Sequence, residues 1–178
     1  MAENQANGKE ANEKMIELRF IKSSEKKKIV EELNPSLGIS EMPYLLIDWG
    51  REKIRAFSGS LSKEEIIEIS RLAQVEGVGI YFLKREVDGL RPSFDALELL
   101  KSQITTNIID LSDDEFELWI RGHSLPLKKP KGLYAMRHNE DFLGCAKSNG
   151  ETIFNYVPKE RRIKKPLIPN QNEQNKIF

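Results

Sequence analysis

Eleven lysines and arginines between Arg121 and Lys165 are the side chains best suited to chemistry in this 178-residue protein. Only four acids share that segment, so it carries a net charge of +7, whereas the whole chain carries none. Residues 1–120 hold 16 bases and 23 acids. A cluster of cations attracts polyanions, and the N–H groups of lysine and arginine bind phosphate. The pattern therefore predicts a nucleic-acid partner.

The predicted phosphate contacts fall into groups at 128–131 and 159–162, and Pro158 keeps the second group from continuing a helix. A run of lysine and arginine is also compatible with a merely solvated face, but several separate runs favour a binding surface. The candidate phosphate ligands are Arg121, Lys128, Lys129, Lys131, Lys147, Lys159, Arg161 and Arg162.

Base contacts require different side chains. Asn155 and His123 are candidates to hydrogen-bond to base edges, and Tyr134 or Tyr156 could stack on a base, although a strand tyrosine is more often part of the core. RNA is favoured over DNA because the sequence has no helix-turn-helix, zinc-finger or basic-zipper pattern.

The sequence offers little for catalysis. Gly77-Val78-Gly79 follows a helical pattern rather than a strand, so it is not a phosphate-binding loop. His123, His138 and Cys145 have irregular spacing without a Cys-x-x-Cys pair, and we expect Cys145 to be a small buried residue. We therefore expect no enzyme, no cofactor and no metal site.

The first part of the chain predicts a mixed α/β unit. Strand patterns occur at 16–20, 44–49, 53–58, 78–83 and 107–111, and helical patterns at 25–33, after the capping box Ser62–Glu65, and after Ser93. We expect Gly77 to close the second helix and residues 117–121 to form a further strand. Ser112 and the acids after it are expected to cap a short helical turn.

Beyond Gly122, short apolar runs alternate with proline and glycine, which indicates a small β-barrel or sandwich. The polar segments at the ends, 1–14 and 167–178, have a composition typical of disorder. A single cysteine and the lack of a long apolar run favour a reducing compartment without a membrane span, so we expect a cytoplasmic protein.

Three segments of the second part carry a family resemblance: Trp119–Leu125, Asp141–Lys147 and Asn155–Arg162. Together they resemble a PUA-like RNA-binding domain, similar to those of Nol/Nop/Sun-family RNA cytosine-C5 methyltransferases and of archaeal and eukaryotic ribosome-biogenesis factors. The resemblance implies an α+β fold with a pre-PUA-like α/β domain at 15–116 and a PUA-like domain at 117–166. We expect no counterpart of the methyltransferases' catalytic domain, because these 178 residues have neither its length nor its cysteines.

The resemblance further implies an RNA-binding accessory protein in rRNA or tRNA maturation or ribosome biogenesis. Its partners would be that RNA and possibly an RNA methyltransferase or assembly factor. The alternative is a protein-interaction adaptor whose acidic N-terminal half docks a basic ribosomal protein or an RNA-modifying enzyme.

Overall fold

The structure is a computed structural model, and it describes residues 18–73 and 75–164. The predicted terminal segments 1–14 and 167–178, and the start of the first predicted strand, lie outside the described residues. Within them the fold is α+β, as predicted, with four α-helices and two sheets.

The first sheet is an antiparallel meander in which each strand pairs with the next one along the chain. Short apolar runs separated by turn residues produce it, including the predicted hairpin around Gly50. Its strands are β1 (Arg19–Phe20), β2 (Leu45–Trp49), β3 (Lys53–Phe57), β4 (Ile80–Glu86) and β5 (Gly89–Pro92).

Helix α1 (Ser23–Leu37) is longer than the predicted 25–33, because the chain stays helical through Pro35. It ends at Gly38, which has φ of +83° and donates its N–H to the Asn34 carbonyl. A left-handed residue at this position is a common helix end. Helix α3 (Phe94–Leu99) begins at the predicted Ser93 cap.

Helix α2 (Lys63–Leu72) begins at the predicted capping box, in which Ser62 and Glu65 bond each other's backbone N–H groups. It ends at Leu72 rather than at Gly77, so that part of the prediction is wrong. Only Ile66 of this helix is buried.

The second sheet has the order β6-β7-β8-β9, with β6 parallel to β7 and the other pairs antiparallel. Its strands are β6 (Ile108–Asp110), β7 (Gly132–His138), β8 (Asp141–Ser148) and β9 (Ile153–Asn155). Helix α4 (Asp113–Ile120) follows β6. The predicted strand at 117–121 is therefore wrong, because the Ser112–Glu115 capping box starts a helix that continues through those residues.

The two sheets share a hydrophobic core. Leu33 of α1 and Leu97 of α3 belong to the same buried cluster as Ala135, Phe142 and Cys145 of the second sheet. A second cluster lies on the other side of the second sheet around Trp119, whose indole N–H donates to the Leu143 carbonyl at 2.8 Å. The packing fixes the two sheets against each other, and the domain boundary at residue 117 stays a prediction.

Among residues 18–73 and 75–164, no helix combines the length and the hydropathy needed to cross a bilayer.

Candidate nucleic-acid interface

Two cation-rich segments meet at the β9 edge of the second sheet. Leu125 and Ile153 exchange backbone hydrogen bonds of 3.0 and 2.9 Å, which ties segment 121–131 to the outer side of β9. Ile163 donates its backbone N–H to the Ile120 carbonyl, which holds segment 156–164 against the end of α4. We call these two segments together the β9 edge surface.

Five lysines of this surface are exposed: Lys128, Lys129, Lys131, Lys159 and Lys164. Of the predicted phosphate ligands among them, Lys129, Lys131 and Lys159 have no carboxylate within ion-pair distance among the described residues. His123 is exposed as well, and its contact with a base stays a prediction. Lys129, Lys131 and Lys159 are the side chains best placed to bind phosphate.

Arg162 occupies a different position. Its Nε donates to the Val157 carbonyl at 3.0 Å, and its guanidinium lies over Gly122. A Cβ at Gly122 would lie about 2.5 Å from that guanidinium, and the φ of Gly122 is +92°. Glycine is required here because both the backbone angle and the close approach exclude a side chain.

Three further predicted phosphate ligands form ion pairs. Arg121 contacts Glu117 at 2.8 Å, Arg161 contacts Asp95 at 2.8 Å, and Lys128 contacts Glu151 at 3.6 Å. The last two pairs are solvent-exposed, and exposed pairs contribute only about 0–1 kcal/mol. Lys128 and Arg161 can therefore exchange a carboxylate for a phosphate at small cost.

Lys147 does not belong to this surface. Its Nζ donates to Glu86 at 2.7 Å and to Asp88 at 2.5 Å, and only 16% of its side chain is exposed. Hydrogen bonds from this ammonium lower the pKa of Asp88, and together with Arg91 they lower that of Glu86 despite its burial. The prediction that Lys147 contacts RNA is corrected: its ion pairs with Glu86 and Asp88 link the second sheet to the first.

Asn155 is also a structural residue rather than a base contact. Its amide nitrogen donates to the carbonyls of Trp119 and His123 at 2.7 and 3.1 Å, and its amide oxygen accepts the N–H of Val157 at 2.8 Å. With both ends of the amide used inside the protein, the side chain is not free to read a base.

The two tyrosines differ. Tyr134 is buried, and its hydroxyl donates to the Pro130 carbonyl at 2.9 Å. Tyr156 is half-buried, and the guanidinium of Arg91 lies 4.5 Å from its ring centroid. The sequence prediction missed Arg91 because its contact with Tyr156 joins residues far apart in the chain, so no local pattern signals it.

The charge distribution changes when it is counted along the folded elements. Residues 18–105 hold 14 bases and 14 acids, and residues 106–163 hold nine of each. Most of the excess of acids over bases in residues 1–120 lies in β6 and α4. There Asp110 pairs with Arg137, and Asp113 contacts His138. The second unit thus has an acidic end at α4 and a basic β9 edge surface.

Cys145 of β8 is buried, as predicted, and burial raises the pKa of its thiol to about 12. The thiol is therefore protonated at neutral pH.

Residues 106–163 match a protein family described as the methyltransferase RsmF PUA domain. The matched segment starts just before β6 and ends at the residue that bonds Ile120, so it contains the whole second sheet and α4. No curated protein matches the chain significantly.

Proposed function

We propose, because residues 106–163 form a PUA-like domain of the Nol/Nop/Sun methyltransferase type, that this protein is an RNA-binding accessory factor in rRNA or tRNA maturation. The domain itself indicates RNA binding in an RNA-methyltransferase-related context. The observation that carries the proposal is that exposed lysines at the β9 edge of this domain, Lys129, Lys131 and Lys159, have no carboxylate partner in the described part of the chain.

In the proposed mode, Lys129, Lys131 and Lys159 contact phosphates from two segments on either side of β9. Exposed Lys128 and Arg161 add weaker contacts, because each already has a carboxylate partner. His123 remains the predicted base contact. Recognition of this kind depends on backbone shape and charge more than on base sequence.

The proposal assigns the chain no chemical step. Cytosine-C5 methyl transfer uses a nucleophilic cysteine, and the single cysteine of this sequence is buried with a protonated thiol. We infer that the protein presents RNA to a separate modifying enzyme, that residues 18–105 serve as a pre-PUA-like unit, and that the protein works in the cytoplasm, which its cysteine usage favours.

The experiment compares two double charge reversals by fluorescence anisotropy with a labelled RNA hairpin. Lys131→Glu with Lys159→Glu changes one lysine in each segment of the β9 edge surface. The control, Lys27→Glu with Lys28→Glu, changes two exposed lysines of α1 and alters net charge equally. We expect the first variant to weaken binding about tenfold, or ~1.4 kcal/mol, and the control to bind like wild type. Equal affinities for both variants would refute the proposed surface.

In the adaptor alternative the acidic docking surface lies at β6 and α4, since residues 18–105 have equal numbers of acids and bases. This alternative makes a distinct prediction. If the protein is an adaptor, the Lys131→Glu, Lys159→Glu variant retains its protein partners in a pull-down from extract. RNA should then be absent from the wild-type pull-down, even when it is washed without nuclease.

A further inference from the structure

We propose that the outer face of the first sheet is a second RNA-binding surface, which takes unpaired strands by stacking. It extends the proposed function and depends on it only for the kind of polymer bound. We call this surface the aromatic face; it consists of Trp49, Lys53, Arg55, Tyr81, Arg91 and Tyr156.

Strand register places these residues side by side. Trp49 lies opposite Lys53 in the β2–β3 pair, and Arg55 lies opposite Tyr81 in the β3–β4 pair. The neighbours that alternate with them, Ile54 among others, point into the core. Because facing residues of paired strands share one side of a sheet, Trp49, Lys53, Arg55 and Tyr81 share its outer side. Ile47, opposite Arg55, lies on this side too and is fully buried, so the accessible part of the face lies toward Trp49 and Lys53.

A bulge keeps the pattern continuous across β4. The register shifts between Ile54 and Arg55, so that Phe82 and Leu83 are both buried. Lys84 therefore returns to the same side as Tyr81, and it lies opposite Arg91 of β5.

Cations and aromatic rings alternate on this face. Arg55 lies 5.3 Å from the ring centroid of Trp49, and Lys53 lies 5.6 Å from that of Tyr81. Arg91 lies over Tyr156, which directly follows β9. The aromatic face therefore runs from β2 to Tyr156, where it meets the β9 edge surface.

The face has more positive charge than its acids neutralise. Among the described residues, Lys53 and Arg55 have no carboxylate partner; the Arg55 guanidinium donates instead to the carbonyls of Val78 and Gly79. Glu86 is shared by Lys84, Arg91 and Lys147, of which Lys84 also contacts Glu52 and Lys147 also contacts Asp88. A polyanion is the complementary occupant.

The aromatic rings select the kind of polyanion. Trp49, Tyr81 and Tyr156 are each half-buried, so part of each side chain is accessible. Bases of single-stranded RNA stack on such rings, and a four-stranded sheet in other RNA-binding proteins stacks two or three bases. Paired bases are already stacked within a duplex. The fit is therefore to two or three unpaired nucleotides.

The two tryptophans of the sequence allow a direct test. Trp119 is fully buried, whereas Trp49 is not. Oligouridine of ten nucleotides is titrated into the full-length protein while tryptophan fluorescence is recorded. We expect quenching in the wild type and none in Trp49→Phe, because the remaining tryptophan is inaccessible.

Affinity provides the second measurement, by anisotropy of labelled oligouridine. Removing an aromatic ring removes the stacking energy of the base that lies on it, so we expect Tyr81→Ala to weaken binding at least about fivefold. Lys53→Glu changes an exposed side chain that makes no ion pair in the described structure, so it is the variant to use should Tyr81→Ala fail to fold. Both should leave binding of the RNA hairpin within about twofold of wild type.

The outcomes separate this inference from the proposed function. If hairpin binding depends on Lys131 and Lys159 while oligouridine neither binds nor quenches Trp49, the aromatic face is refuted and the proposed function stands. If oligouridine binds through Trp49 and Lys53 while the hairpin does not bind, the inference stands and the proposed hairpin surface falls. Quenching by polyglutamate but not by oligouridine would instead identify an acidic protein as the occupant and overturn the inference.

Discussion

Replacing Lys147 with methionine should destabilise the protein without weakening RNA binding. The substitution keeps most of the apolar stem and removes the ammonium that contacts Glu86 and Asp88. Hydrogen bonds between charged groups contribute about 1.5–3 kcal/mol each. Asp88 is 69% exposed and Glu86 keeps Arg91, so we expect a total loss of about 2 kcal/mol.

The loss should depend on pH in a defined direction. Both carboxyl groups have a lowered pKa in the folded protein, so their contribution is complete above the unfolded carboxyl range, about pH 4. It disappears as the pH falls through the lowered folded values. The difference between wild type and Lys147→Met should therefore be constant from pH 6 to pH 8 and shrink below about pH 4.

Thermal unfolding at several pH values is the assay. A difference of 2 kcal/mol corresponds to a Tm lower by about 4–8 °C in a protein of this size. The control is Lys131→Met, which removes an exposed lysine and should change stability by no more than about 0.5 kcal/mol. An unchanged Tm in Lys147→Met together with weaker RNA binding would refute the structural role and restore Lys147 as an RNA contact.

Three further variants and one modification probe the same structure. Asn155→Ala should lower the free energy of unfolding by about 2 kcal/mol in urea while leaving the salt dependence of RNA binding unchanged, because it removes the acceptor of the Val157 N–H and the side-chain donor to the Trp119 and His123 carbonyls; weaker binding at wild-type stability would contradict this. Gly122→Ala should cost about 1–3 kcal/mol through its left-handed backbone, and a wild-type melting curve would speak against it. Ser62→Ala should cost about 1 kcal/mol by removing the α2 cap, measured in the same way. Cys145 should react with a thiol reagent only at the rate of unfolding; rapid labelling in native buffer would contradict its burial.

Local signals predicted most of the helices and strands. The capping box at Ser62, the cap at Ser93 and the hairpin around Gly50 depend on residues a few positions apart, so the sequence alone reveals them. Residues 117–121 show where two local signals compete. Their apolar and polar residues are compatible with a strand, but the Ser112–Glu115 capping box lies close enough to start a helix through them.

Long-range pairing determined what the sequence could not show about the site. Asn155 and Lys147 have side chains suited to RNA, yet their partners, Trp119 and Glu86, lie 36 and 61 residues away. The same reason explains why Arg91 was missed. The net charges of the two halves of the sequence were misleading for another reason. The acids of α4 were counted with the first half, but they belong to the unit that also carries the basic β9 edge surface.

The salt dependence of hairpin binding tests the central claim most directly. Lys129, Lys131 and Lys159 are the main phosphate contacts of the proposed mode, and none has a carboxylate partner in the described part of the chain. At about 0.7–0.9 released ions per phosphate contact, three contacts give a slope of log affinity against log salt of about −2.5. A slope near −2.5 that falls toward about −1 when Lys131 and Lys159 are changed to glutamine is the result we predict. A slope near zero, or one that both substitutions leave unchanged, would contradict RNA binding by this surface.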